Sequence, residues 1–135
     1  MREFDTDTVR MISLFESITE AEVRDCVKSE DGSVVYFVLN PGHAPKAVGK
    51  SGSTVKIAEK MLGKRIKVFE YSPEPREFLK NLVPRARSVE IREGKAIIRI
   101  GPEDKGIVIG RNGKNIKVIR EILKRNSGIS SVEVR

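Results

Sequence analysis

A chain of 135 residues, 39% hydrophobic and 33% charged, has room for one average domain or two small ones and is too rich in apolar residues for a disordered tail. Its longest apolar run, Val34 to Leu39, is far too short to span a bilayer, and it opens Met1-Arg2-Glu3 without a signal-like core, so a cytoplasmic protein with no membrane partner is expected. The formal charge of +7 suggests a polyanionic partner, while a single cysteine (Cys26) and a single histidine (His43) exclude an internal disulfide and a four-ligand zinc site.

Taken in chain order, Asp7 to Ile18 reads as an amphipathic helix. Val23 to Lys28 and Val34 to Leu39 flank the turn Glu30-Asp31-Gly32 and form a hairpin, with Cys26 as a strand residue. Pro41-Gly42 breaks the chain, and a short helix with Pro45 in its first turn leads into Gly49-Lys50-Ser51-Gly52. Val55, Ala58 and Leu62 then recur at helical spacing, Gly63 stops that helix, and Ile66 to Phe69 is an apolar strand.

The same series follows again. Ser72 caps a helix over Glu74 to Val83, with prolines in its first turn. Ser88 to Arg92, the turn Glu93-Gly94 and Ala96 to Ile100 make a second hairpin, and Gly101-Pro102 opens a short helix that ends at Gly110-Arg111-Asn112-Gly113. Ile116, Ile119 and Leu123 mark the next helix, Gly128 ends it, and Val132 to Val134 is the last strand. The two GxxG motifs lie 61 residues apart, so the chain is an internal duplication. Each copy runs helix, strand, strand, helix, GxxG, helix, strand. The fold class is α+β, with domains at residues 1–71 and 72–135, each a three-stranded sheet packed on three helices.

Charge follows the repeat. Lys46 to Lys67 holds seven basic residues and one acid, Glu59, and Lys105 to Arg125 again holds seven and one, Glu121, which leaves the rest of the chain at −5. Two basic segments centred on the same glycine motif point to a repeated binding site for a polyanion. Paired glycines let a sugar-phosphate backbone approach closely, the loop amides and the next helix's dipole face phosphate, and Lys50 or Arg111 adds a full charge. By itself a GxxG is more often a helix C-cap followed by a turn.

The surrounding residues carry more. Ile107-Val108-Ile109-Gly110-Arg111-Asn112-Gly113-Lys114-Asn115-Ile116-Lys117-Val118-Ile119 resembles the KH signature, and Ala47-Val48-Gly49-Lys50-Ser51-Gly52-Ser53-Thr54-Val55-Lys56-Ile57-Ala58 resembles it a second time. With a helix ahead of each hairpin, the order is similar to the type II (prokaryotic-type) KH fold, whose loop clamps about four nucleotides of single-stranded RNA, or about eight for the pair. Arg65 to Phe78 resembles the junction between the KH domains of NusA-type transcription factors. Bacterial NusA proteins place a polymerase-binding domain and an oligonucleotide-binding barrel ahead of the KH pair; neither has a counterpart here, so the archaeal NusA-like form matches better.

That resemblance implies a non-enzymatic role in transcription termination or antitermination, with single-stranded RNA as partner and RNA polymerase or other transcription factors as further ones. It carries the backbone grip onto Gly49, Lys50, Ser51 and Gly52 and onto Gly110, Arg111, Asn112 and Gly113. Val48, Val55, Ile109 and Ile116 become floor residues of a base-binding groove, with core packing an equally good reading for Val55 and Ile116. Lys56, Lys60, Lys114 and Lys117 line a phosphate track. No cofactor and no small-molecule substrate is expected.

Rival readings fare worse. Gly42 and Gly49-Lys50-Ser51 mimic a nucleotide-binding P-loop, but six residues separate the glycines where that loop needs four, and no later strand ends in a magnesium-binding aspartate. One histidine, one cysteine and acidic pairs in turns make no nucleophile, base and orienting group, and His43 reads as a loop residue. An RRM lacks its stacking aromatics. A KH-fold scaffold for protein partners stays open, with Lys50 and Arg111 arguing for retained RNA binding.

Overall fold

In the computed structural model, which describes residues 4–135, the chain divides into two compact units, Met1–Tyr71 and Ser72–Arg135. The first contains helix α1 (Thr6–Thr19), strands β1 (Val23–Lys28) and β2 (Val34–Leu39), helix α2 (Ala44–Val48), a 3₁₀ turn at Lys50–Gly52, helix α3 (Ser53–Leu62) and strand β3 (Arg65–Glu70). The second repeats the order as α4 (Pro75–Leu82), β4 (Ser88–Arg92), β5 (Lys95–Arg99), α5 (Pro102–Ile109), a 3₁₀ turn at Arg111–Gly113, α6 (Lys114–Ser127) and β6 (Ser131–Val134). Each unit is the expected α+β arrangement: a three-stranded sheet with three helices.

Within each sheet the hairpin strands are antiparallel, and the last strand returns parallel to the second. That parallel return needs a crossover, and the two helices joined by the GxxG loop supply it. β3 and β6 are therefore edge strands, bonded on one side only. In unit 1 the inward residues Val35, Phe37 and Leu39 of β2 pack against Met11 and Phe15 of α1 and Ala58 of α3. The Phe15 and Phe37 rings stack with centroids 4.0 Å apart. All six β2 residues are buried, which matches their unbroken apolar run.

Local chemistry explains the boundaries. Asp5 caps α1 by accepting the Thr8 amide at 2.7 Å. The second hairpin turns on Glu93 and Gly94, both at positive φ, the two-residue geometry that suits the twist of paired strands. In β1 a bulge shifts the register between Val23 and Asp25, and the Arg24 guanidinium lies 3.7 Å from the centroid of the Tyr71 ring.

Three sequence expectations are corrected. The cap of α4 is Glu74, which accepts the Arg76 and Glu77 amides at 3.2 and 2.6 Å, while Ser72 only tightens the approach by accepting the Glu74 amide. Of the nearby prolines only Pro75 lies inside the helix, because a proline is tolerated in its first turn. β5 starts and ends one residue earlier than the alternation suggested, since Lys95 already pairs across the tight turn with Arg92.

Truncating the stacked ring tests the core of unit 1. Phe15→Ala removes a fully buried aromatic and should lower that unit's unfolding free energy by about 3–5 kcal/mol, read from urea titrations.

Candidate nucleic-acid interface

Each GxxG loop is a tight crossing between two helices. Gly49 ends α2 with φ 73° and ψ 177°, and Gly110 ends α5 with φ 78° and ψ 167°, conformations that only glycine adopts without strain. Space is equally restrictive. A Cβ on Gly49 would lie 2.9 Å from the Thr54 amide nitrogen, and one on Gly110 the same distance from the Asn115 amide nitrogen and Cβ. The second glycines differ: Gly52 (φ 74°) and Gly113 (φ 72°) are left-handed caps of α3 and α6, and a Cβ there meets nothing closer than ordinary contact.

Between the glycines, Ser51 (φ 54°) and Asn112 (φ 56°) also adopt the left-handed conformation, which polar side chains tolerate best. Gly52 and Gly113 donate back to the carbonyls of Gly49 and Gly110 at 3.3 and 3.1 Å, and Ser53 and Lys114 donate to those of Lys50 and Arg111. These amides are therefore spent in holding the turn. The amides of the two central residues remain available for phosphate, in the concave turn geometry that binds anions. The side chains of Lys50, Ser51, Arg111 and Asn112 are all exposed, and among the described residues neither Lys50 nor Arg111 has a carboxylate partner.

Position sorts the apolar candidates. Ala47 and Val108, one residue before the outer pair, are buried, while Val48 is 40% exposed and Ile109 partly so. Val55 packs against the core of unit 1, and Ile116 is buried. In unit 2 a cleft of about 510 Å³ opens between α6 and the edge strand β6, lined by Ile109, Ile116 and Val132 and by the charged Lys95, Arg120 and Glu133. Core packing and groove lining thus coexist at Ile116.

The lysines divide by distance along the helices. Lys114 opens α6; Lys56 and Lys117 stand one turn after the loops, and the Lys117 stem reaches to within 4.0 Å of where a Cβ of Gly113 would be. Lys60 lies in the last turn of α3, beside a second cleft of about 610 Å³ formed with Gly32, Glu59, Lys64 and Arg65. Two contributors escaped sequence reasoning. Asn115 Nδ2 donates 2.8 Å to the Val108 carbonyl and so ties the start of α6 to the end of α5; an asparagine just after the second glycine was its only signal. His43, read as a loop residue, stands just ahead of α2 without capping it through the side chain and accepts the Glu22 amide on Nδ1 at 3.1 Å, tying the start of α2 to the entry into β1.

The KH domain profile matches residues 10–73 and 75–135, once for each unit. This chain belongs to the KH domain family, as one of its NusA-like tandem proteins. The probable transcription termination protein NusA of Methanocaldococcus jannaschii is 33% identical over 96% of this chain and 73% of its own length. The protein of the same description from Halococcus morrhuae is 31% identical over 99% of both chains. The crystal structure of APE1850 superposes with a TM-score of 0.74 at 34% identity, covering 94% of this chain and 96% of that one. Among the described residues of this KH protein, no helix is long and apolar enough to cross a membrane, and no three His, Cys, Asp or Glu residues gather to hold a metal ion.

The two glycines of a motif should not be equivalent. Gly113→Ala puts one alanine in a left-handed conformation at about 1–2 kcal/mol. Gly110→Ala adds collision with Asn115 and should cost clearly more, which thermal or urea melts of the two variants will compare.

Proposed function

We propose that this protein binds single-stranded RNA as a transcription termination or antitermination factor, each GxxG loop gripping the backbone of one RNA segment while the neighbouring groove takes its bases. The observation that carries this reading is the twice-built loop, rigid in main chain and exposed in its cation, with a cleft floored in part by Ile109 and Ile116 beside it in unit 2. The grip is assigned to Gly49, Lys50, Ser51 and Gly52, and to Gly110, Arg111, Asn112 and Gly113. Val48 and Ile109 contact the bases nearest the loops, and Lys56, Lys60, Lys114 and Lys117 line the phosphate path.

An unpaired strand suits this geometry because its bases splay into a groove that a duplex cannot enter. The basic segments around both loops supply attraction over a backbone of one charge per nucleotide. The transcription role rests on the description shared by the relatives. We assign the protein to the cytoplasm, domains 1–71 and 72–135 to one RNA segment each, no catalytic step, and RNA polymerase or another transcription factor as a second partner.

Fluorescence anisotropy with labelled single-stranded RNA, matched DNA and duplex RNA tests the reading. Wild type should prefer single-stranded RNA, and Lys50→Asp/Ser51→Asp or Arg111→Asp/Asn112→Asp should each weaken binding at least about tenfold without changing the circular dichroism spectrum. Undiminished affinity in a folded variant altered at both loops would count against the grip, and no binding by wild type would favour a scaffold for protein partners.

Salt gives an independent readout. Each phosphate neutralised on a single strand lowers log affinity by about 0.7 per log unit of salt, so four such contacts predict a slope of about −3. A flat response would contradict the phosphate path.

A further inference from the structure

The two grooves share a frame but carry opposite chemistry at the same point. Seven residues after the second glycine, α3 presents Glu59 and α6 presents Arg120. Both side chains reach across to the second residue of the edge strand. Glu59 Oε2 accepts the Ile66 amide at 2.9 Å, whereas Arg120 Nη2 lies 3.5 Å from the Val132 carbonyl.

The direction of these strand groups follows from the register. Arg65 and Tyr71 donate toward β2, to Ser33 and Leu39, so Ile66, between them in the alternation, turns its N–H and C=O away from the sheet. Arg135 likewise donates to Ile98, so Val132 faces outward in β6. In unit 1 the outward N–H is taken by Glu59, leaving the Ile66 carbonyl and a carboxylate as the acceptors at this point. In unit 2 the outward carbonyl is loosely held, at the outer limit of a hydrogen bond, leaving the Val132 amide and the Arg120 guanidinium as donors beside it, while the Glu133 carboxylate in the same cleft is engaged by Arg135 and Lys95.

We propose that the two grooves select opposite base edges, the groove of unit 2 taking through Arg120 an edge with two acceptors, as on guanine, and that of unit 1 taking through Glu59 an exocyclic amino group, as on cytosine or adenine. This assignment rests on the RNA-binding reading above. Guanine offers O6 and N7 side by side, which a guanidinium meets with two parallel N–H groups, while a carboxylate accepts from the amino group of cytosine. The same carboxylate repels the O6 and N7 edge of guanine, so that edge is disfavoured in the unit 1 groove. Lys60 and Arg65 stand beside Glu59 in the cleft at the far end of α3, so attraction for phosphate persists next to the anionic side chain.

The experiment isolates one groove at a time in the full chain. The Lys50→Asp/Ser51→Asp variant leaves unit 2 to bind, and Arg111→Asp/Asn112→Asp leaves unit 1; each is titrated by anisotropy with uridine octamers carrying a single guanosine, adenosine or cytidine. A good two-bond contact should separate the preferred base from the others about fivefold or more. With unit 2 active, guanosine should win, Arg120→Gln should erase the preference and Arg120→Glu should turn it toward cytidine or adenosine. With unit 1 active, cytidine or adenosine should win, and Glu59→Gln, whose amide oxygen can still accept the Ile66 amide, should flatten the preference. Identical base ranking by the two units, or a guanosine preference unmoved by Arg120→Glu, overturns the assignment while leaving RNA binding intact. Failure of wild type to bind any of these octamers overturns the RNA-binding reading, and the assignment with it.

Discussion

Everything functional in this fold depends on how closely the first glycine of each GxxG approaches the start of the next helix. With no Cβ at Gly49 or Gly110, the chain crosses from one helix to the next within four residues and presses against Thr54 or Asn115. A larger residue would push the helices apart and loosen the turn. That closeness holds two central amides and a cation at a fixed point, which is what a phosphate group needs from a protein. It also places the last apolar residue of one helix beside the first turn of the other, at the mouth of the cleft in unit 2.

Duplication kept this frame and let its surroundings diverge. From the start of the second strand through the GxxG the copies correspond at an offset of 61 residues, but β6 pairs with β5 at an offset of 66 from the equivalent pairing in unit 1. α6, at 14 residues against 10 in α3, accounts for the difference with about one extra turn. Ile57 and Met61 are 55% and 61% exposed on α3, while Val118 and Ile122, their counterparts on α6, are buried. The loop is constrained by backbone geometry and tolerates almost nothing. Helix faces and groove walls are constrained only by packing and charge, so they are where two copies acquire separate tasks.

Electrostatics reinforces the division. Many of the acids sit in surface pairs away from the loops, as in Arg85 with Asp104 at 2.9 Å, Arg87 with Glu103 at 3.3 Å and Lys28 between Asp5 and Asp7. Exposed pairs of this kind add little stability. They do neutralise cations outside the loops, so the positive field concentrates where Lys50 and Arg111 stand alone on glycine-rich turns. Placement of charge, more than its total, distinguishes a nucleic-acid site from ordinary solubility.

Periodicity and turn residues were enough to place the six strands and six α-helices of the described residues, because hairpin turns, proline starts and glycine stops act through the local backbone. Both GxxG motifs were legible for the same reason. The errors arose where two local solutions compete: Ser72 and Glu74 are both able to cap α4, and only the path of the chain into the helix decides. Ser51 and Asn112 in left-handed turns, Asn115 bonded to Val108 and His43 bonded to Glu22 left no reliable trace in sequence. Each depends on where a second segment arrives. The groove chemistry lies furthest from view: Glu59 and Arg120 read as ordinary charges on a helix until β3 and β6 return parallel beside them. Spacing along the chain determined the repeated loop and its charge; only the tertiary structure decided which main-chain groups each helix would cover, because edge-strand direction is a property of the assembled sheet.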